Sequence, residues 1–205
     1  MAGPAHTFDA WVLNRRPPAE SFQTLTIFSA EHGAQFALQR LSKKAATNAS
    51  LDLFDEASLL VEEPNPGQAV FVKEARIQTR HTALGKNYET LQKASALAQL
   101  IARNPVAEES RRAIYDLLRD SFRAFAENVR ADIVYLKSIY RFCRDEGYPL
   151  KQAWVPELPS VDRGELVTLL KQPVGTQSVD AKVVARLQRN LDDYLRRETE
   201  IQLEG

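Results

Sequence analysis

Residues 22–39, FQTLTIFSAEHGAQFALQ, decide the fold of the N-terminal half of the chain. The first half of this stretch alternates β-branched and aromatic side chains with other residues, and in the second half Ala34, Phe36 and Leu38 share one face. A period of two is typical of β-strands. Between the halves lies Gly33, and glycine can adopt the positive φ that a tight connection requires. The stretch therefore predicts a β-hairpin.

Three further strands are predicted around this hairpin, at residues 8–13, 57–61 and 70–77. Residues 64–67, PNPG, predict a turn between the last two, and residues 40–50 predict a loop or a short helix before them. Five strands with an insertion after the third are typical of a small Greek-key barrel of the OB type.

Beyond Ala83 the hydrophobic period changes to that of helices. Helices are predicted at residues 88–101, 162–171 and 180–201. A longer apolar stripe covers residues 108–147, and it predicts two helices with a break near Asn128, because a single helix of that length is far above the globular average.

The predicted fold class is α+β with two domains. An N-terminal five-stranded OB-type β-barrel covers residues 1–80, and an all-helical C-terminal domain covers residues 81–205. The 27 basic and 27 acidic residues give a net charge of zero, which excludes a highly basic nucleic-acid coat protein but leaves room for a local basic patch. No apolar run is long enough to span a membrane, and residues 1–10 lack the pattern of a secretory signal. We expect a cytoplasmic protein.

The sequence offers little for catalysis. Cys143 lies in the apolar stripe of a predicted helix, where a packed thiol is the ordinary interpretation, and His32 precedes a turn glycine. The single cysteine and the three widely spaced histidines give no metal-binding pattern, and no Walker A or GxGxxG motif is present. We expect a protein that is not an enzyme and has no metal or cofactor.

Basic residues cluster beside the predicted strands. They are Arg15, Arg16, Arg40, Lys43, Lys44, Lys73, Arg76 and Arg80. OB barrels bind single strands by combining phosphate contacts with aromatic stacking, and Trp11, Phe22 and Phe28 are the aromatic candidates. The two phenylalanines are expected in the barrel core, whereas Trp11 is left open. The basic residues could equally form an ordinary solvated surface.

A second set of cations recurs at helical spacing. Its members are Arg112, Arg119, Arg123, Arg130, Lys137, Arg141 and Arg144. One interpretation is the polar side of an amphipathic helix paired with Asp116, Asp120 and Glu127. The other is a cationic ridge that receives carboxylates or phosphates of an acidic partner.

Short motifs occur in a characteristic order along most of the chain. They are Glu20-Ser21, LTIF at residues 25–28, EHG at 31–33, LSKK at 41–44, Leu51 with Phe54, KEARI at 73–77 and GYP at 147–149. Their order resembles that of the RecO family of DNA repair and recombination mediators. Many members carry a four-cysteine zinc module after the GYxP element, whereas residues 150–160 contain no cysteine here. The chain is therefore similar to a zinc-free variant.

The resemblance implies a non-enzymatic, nucleoid-associated mediator. It would bind single- and double-stranded DNA, anneal complementary strands, and help RecR load RecA onto strands coated by single-strand-binding protein (SSB). The barrel would contact DNA and RecR, and the helical domain would hold the acidic C-terminal tail of SSB. The DNA-binding candidates are Arg15, Arg16, Arg40, Lys43, Lys44 and Arg76. The candidates for the SSB tail are Arg119, Arg123 and Arg130.

Two other functions remain open from the residues. A protein-interaction adaptor with the same architecture and little DNA affinity would suit the neutral charge. A small hydrolase would need His32 or Cys143 to meet a carboxylate or base in a cleft.

Overall fold

A computed structural model describes residues 5–19, 21–41, 49–62, 68–127 and 130–203. The protein is α+β, with a five-stranded N-terminal sheet followed by helices. The strands are β1 (Ala5–Arg15), β2 (Phe22–Ser29), β3 (Gly33–Arg40), β4 (Glu56–Glu62) and β5 (Val70–Thr79). All five predicted strands are confirmed, with ends that extend by a few residues. The turn predicted at residues 64–67 and most of the predicted 40–50 connection lie outside the described residues.

The sheet has the strand order β1-β2-β3-β5-β4, and β4 also pairs with β1, so the sheet closes on itself. Every pairing is antiparallel except that of β3 with β5, which is parallel and joins Ala37 to Val70. The predicted hairpin is β2–β3, in which Phe22 lies opposite Arg40 and Ser29 opposite Gly33. Gly33 has a φ of 70°, and a Cβ at this position would lie 3.2 Å from Nε of Arg111, so both the turn and the packing favour glycine.

The interior of the sheet is filled by aliphatic residues and one phenylalanine. The buried cluster includes Phe8, Val12, Leu25, Ile27, Ala37, Leu59, Val61 and Val72. On β3 the side chain of Ala37 points into the interior, whereas Phe36 and Leu38 lie on the outer side. Gln39 points inward as well, and its amide donates to the Ala49 carbonyl at 2.8 Å and accepts from the Leu51 amide at 3.2 Å. Gln39 can therefore be buried although it is polar, because its side-chain amide is hydrogen-bonded.

Part of the outer side of the sheet is also buried. Trp11 and Phe28, which pair across β1 and β2, are both inaccessible to solvent. The ring of Tyr115 lies 6.1 Å from that of Trp11, and its hydroxyl donates to Glu56 on β4 at 2.9 Å. A helical segment thus covers this side of β1.

The chain divides into two compact units. Met1–His81 with Ile101–Tyr115 form the first, and Thr82–Leu100 with Asp116–Gly205 form the second. The predicted boundary at residues 80 and 81 places residues 101–115 in the helical domain, whereas this division groups them with the sheet, on which Tyr115 packs.

The helices are α1 (Tyr88–Arg103), α2 (Arg111–Glu127), α3 (Ala131–Asp145), α4 (Trp154–Glu157), α5 (Ser160–Lys171) and α6 (Ala181–Glu198). The two helices predicted within 108–147 are confirmed as α2 and α3; Asn128 itself lies outside the described residues. The short α4 lies between α3 and α5, where no helix was predicted. In the second unit α3, α5 and α6 pack against one another, and the Asp180 side chain caps α6 by accepting from the Lys182 amide. In the described ranges, no helix combines the length and apolarity needed to cross a membrane.

Candidate functional site

The outer side of β2, β3 and β5 carries an exposed apolar surface. Phe22 is 37% exposed and Phe36 is 49% exposed, and the half-buried Phe71 packs edge-on against Phe22 with ring centroids 6.1 Å apart. Leu38 lies opposite Phe71 on β5. We call Phe22, Phe36, Leu38 and Phe71 the aromatic face. Large exposed apolar groups arranged on adjacent strands indicate a binding surface.

Two of the predicted DNA-binding arginines lie at this aromatic face. Arg40 is exposed and directly opposite Phe22, and the Arg16 guanidinium lies 5.3 Å from the centroid of the Phe36 ring. The Arg16 amide donates to the Thr24 carbonyl at 3.0 Å, which fixes the chain beside β2. Neither arginine is in an ion pair in the described part of the chain. The face therefore combines flat aromatic groups with two cations.

The other predicted DNA-binding residues are placed differently. Arg15 forms an ion pair with Asp52 at 3.1 Å and donates to Gln23 at 3.1 Å. Arg76 is exposed on the part of β5 that pairs with β4, opposite Ser58. Lys43 and Lys44 lie outside the described residues. The structure thus brings Arg16 and Arg40 together with the aromatic face, but not Arg15 or Arg76.

The aromatic candidates from the sequence also separate. Phe28 is buried, but on the outer side of the sheet and not in the interior where it was expected. Trp11 is buried and unable to serve as an exposed stacking surface. The expectation that Phe22 belongs to the core was wrong. Phe36 and Phe71 were not among the candidates, and the signal that could have identified Phe36 was its position beside Ala34 and Leu38 on one face of β3.

The second unit contains a groove of about 280 Å³ between α2, α3 and the end of α5. Its apolar wall consists of Leu117, Ala124, Val134, Leu170 and Val174. Lys137, Arg141 and Arg144 of α3 also line it. We call this site the cationic groove. A buried hydrogen bond of 2.8 Å between Ser121 and Ser138 joins α2 to α3 beneath it.

The three cations of the groove are held to different degrees. Arg141 contacts Asp120 at 2.7 Å and Asp145 at 3.5 Å, and Arg144 contacts Asp145 at 2.7 Å. Lys137 donates to the Gln172 carbonyl at 2.7 Å and has no carboxylate partner among the residues that the structure describes. Burial lowers the pKa of Lys137. An anion bound in the groove would raise the pKa of Lys137 again, because it would supply the negative charge that this side chain lacks there.

The predicted residues for the SSB tail do not line the cationic groove. Arg119 and Arg123 pair within α2 with Asp116 at 2.9 Å and Asp120 at 3.4 Å. Arg130 precedes α3, where it makes two hydrogen bonds to Asp132 and one to the Val179 carbonyl. The pairs Arg119–Asp116 and Arg123–Asp120 match the interpretation of these cations as the polar side of an amphipathic helix, whereas the contacts of Arg130 do not. Lys137, Arg141 and Arg144 belonged to the same cationic series but were not selected.

Cys143 and His32 are the two residues that the sequence offered for catalysis. Cys143 is buried, and burial raises the pKa of its thiol to about 12. His32 lies in the β2–β3 turn, as expected, with its ring 4.9 Å from Phe8 and 5.4 Å from His6. Within the described residues no group of three or more histidine, cysteine or carboxylate side chains is arranged to hold a metal. The aromatic face and the cationic groove are the two candidate sites.

Comparison of the chain with models of known protein families and with curated proteins gives no match. The geometry of the two candidate sites is therefore the basis for a functional proposal.

Proposed function

We propose that the protein is a non-enzymatic DNA-binding mediator of the RecO type, which holds single-stranded DNA on the aromatic face. The observation that carries this proposal is the arrangement of Phe22, Phe36 and Phe71 beside Arg16 and Arg40. Single strands are bound without sequence preference by aromatic rings that stack on bases and by cations that follow the phosphates.

The proposed fold family supports the same choice of site. We propose that the closed five-stranded sheet is an OB-type barrel, a fold that binds oligonucleotides across strands 2 and 3. Phe22 and Phe36 belong to these two strands. Another part of the outer side is covered by Tyr115 over Trp11, whereas Phe22 and Phe36 are exposed and can contact a ligand.

The cationic groove supports a second role for the mediator. An acidic peptide that ends in an apolar residue would place its side chain against Leu117 and Leu170 and its carboxylates beside Lys137 and Arg141. The C-terminal tail of SSB has this chemistry in the proposed family. We therefore propose it as the occupant and assign Lys137, Arg141 and Arg144 in place of Arg119, Arg123 and Arg130. RecR remains a proposed partner, and no residue is assigned to it.

Fluorescence anisotropy with a labelled single-stranded oligonucleotide tests the main proposal. Replacing Phe22 or Phe36 by alanine removes a stacking surface worth about 1–3 kcal/mol per base, so each variant should lose about 5- to 150-fold in affinity at every salt concentration. Arg16→Ala and Arg40→Ala should instead each lower the slope of log K against log salt by about 0.7.

A matched control is Val161→Ala, which removes an exposed apolar side chain from α5 and should bind DNA as the parent does. If the phenylalanine variants keep parental affinity, the aromatic face is not the DNA site. If the parent itself binds no DNA at low salt, the mediator proposal fails.

A labelled acidic peptide from an SSB C-terminus tests the cationic groove separately. Lys137→Ala should weaken peptide binding and leave DNA binding unchanged, whereas Arg123→Ala should leave both unchanged because Arg123 is exposed and pairs within its own helix. Peptide binding together with undetectable DNA binding would favour the protein-interaction adaptor.

A further inference from the structure

The cationic groove contains a carboxylate of the protein itself. Asp120 of α2 lines the groove, and its Oδ2 accepts a hydrogen bond from Nη1 of Arg141 of α3 at 2.7 Å. Its Oδ1 makes a longer contact of 3.4 Å with Arg123 of its own helix. The ion pair between Asp120 and Arg141 therefore connects two helices that form the groove, and it occupies one of the cations that line it.

The two carboxylates that contact Arg141 differ in burial. The Asp145 side chain is 12% exposed and contacts both Arg141 and Arg144, at 3.5 and 2.7 Å. The Asp120 side chain is 47% exposed, and Arg141 is partly exposed as well. Ion pairs between partly exposed groups contribute little to stability, because water solvates both partners when they separate. Asp120 can therefore leave Arg141 easily, whereas moving Asp145 would break two contacts of an enclosed carboxylate.

A carboxylate that enters the groove competes with Asp120 for the same cation. Guanidinium groups bind carboxylates through short, charge-assisted hydrogen bonds, and Asp120 already accepts such a bond from Arg141. Two carboxylates a few ångströms apart also repel each other. Lys137 donates to a backbone carbonyl and not to Asp120. The competition therefore concerns Arg141, and it weakens the binding of any ligand whose carboxylate contacts this residue.

We propose that Asp120 is an internal competitor that sets the affinity of the cationic groove, because a ligand carboxylate must displace it from Arg141. This inference rests on the proposed binding of an acidic peptide to the groove. The groove would then hold such a peptide more weakly than its cations alone allow, which keeps the peptide exchangeable. From the sequence, Asp120 was expected only as a partner on the polar side of a helix.

Fluorescence anisotropy with the labelled acidic SSB peptide tests this inference in the full chain. Asp120→Asn keeps the size of the side chain and removes its charge, so it should tighten peptide binding by about 3- to 10-fold at low salt. This gain should shrink as the salt concentration rises, because the repulsion that the substitution removes is screened by salt. Asp120→Glu keeps the charge and should bind within about 2-fold of the parent.

The matched control is Asp116→Asn, which removes one negative charge from the preceding turn of α2. Asp116 pairs with Arg119 at 2.9 Å and not with Arg141, so this variant should tighten peptide binding by less than about 2-fold. Equal gains from Asp116→Asn and Asp120→Asn would reveal a general effect of net charge and would overturn the specific role of Asp120.

The remaining outcomes separate this inference from the proposed function. If the parent binds the peptide and Asp120→Asn binds it equally or more weakly, Asp120 is not a competitor and the groove still stands as the peptide site. If neither the parent nor Asp120→Asn binds the peptide at low salt, both proposals fail. Thermal melting of each variant distinguishes a folding defect from an altered contact, and Asp120→Asn should fold as the parent does because Asp120 is half exposed.

Discussion

Arg80 and Asp55 form an ion pair with a buried carboxylate in the first unit, which contains the sheet and is called the sheet unit below, and breaking the pair should destabilise that unit. Arg80 donates to the two carboxylate oxygens of Asp55 at 2.8 and 2.5 Å and to the Ser50 carbonyl at 2.8 Å. The Asp55 side chain is 1% exposed, and its Oδ2 also accepts from the Asp52 amide at 2.7 Å. The pair thus joins the end of β5 to the chain that leads into β4. Arg80 belongs to the basic cluster seen in the sequence, but its contacts with Asp55 and Ser50 stabilise the sheet.

The expected magnitude follows from the burial of the two partners. Removing one partner of a fully buried ion pair costs about 3–5 kcal/mol, because the other charge is left without compensation. Arg80 is 40% exposed, so solvent already screens part of the interaction. We expect Arg80→Met, which keeps an apolar stem, to lower the free energy of unfolding by about 2–3 kcal/mol. Arg76→Met, on the exposed side of the same strand, should change it by less than about 0.5 kcal/mol.

Urea unfolding followed by tryptophan fluorescence measures this difference in the relevant unit. The chain has two tryptophans, Trp11 in the sheet unit and Trp154 in the second unit. In a common Trp154→Phe background the fluorescence therefore reports the unfolding of the sheet unit alone. If Arg80→Met and Arg76→Met unfold at the same urea concentration with the same slope, the reasoning from burial is wrong.

Three further predictions concern stability. Gly33→Ala should destabilise the sheet unit by about 1–2 kcal/mol in urea unfolding, because φ is positive there, whereas Gly164→Ala within α5 should be neutral or stabilising by up to about 1 kcal/mol. Hydrogen bonds from Arg186 lower the pKa of Asp162. The ionised Asp162 therefore stabilises the folded protein above the ordinary pKa of 3.8, and this stabilisation is lost as the pH falls through the lowered pKa. In thermal melting, Asp162→Asn should lose less stability in acid than the parent does. Burial raises the pKa of Asp192, so the folded protein binds the proton of this carboxyl group more tightly than the unfolded chain does. The free energy of unfolding therefore falls as the pH rises from 3.8 through the raised pKa. Asp192→Asn should remove this pH dependence and melt at a higher temperature than the parent at neutral pH.

The order of strands and helices was predictable from the sequence because it depends on local periodicity. Alternation marked β2 and β3, and a change to helical period marked the start of the second half. The division of residues 108–147 into two helices was also predicted from length alone. Cys143 is buried, as its place in an apolar helical stripe suggested.

The candidate sites were predicted less well, because they depend on which face of an element is covered. The sequence shows that Phe36 and Leu38 share a face, but it does not show that the interior receives Ala37 and a hydrogen-bonded Gln39 instead. Alternation defines two faces of a strand and leaves their assignment to the neighbours that pack on them.

The kinds of elements, their order and the number of cations follow from local patterns of residue type and can be read from the sequence. Which aromatic rings remain exposed, and which cations lie beside an apolar surface, depends on tertiary contacts. Phe22 is exposed and Trp11 is covered, although both lie in strands of the same sheet. Lys137 lines the cationic groove, whereas Arg123 forms an ion pair with Asp120 of the same helix. In each case the difference arises from contacts between residues far apart in the chain, which no local pattern encodes.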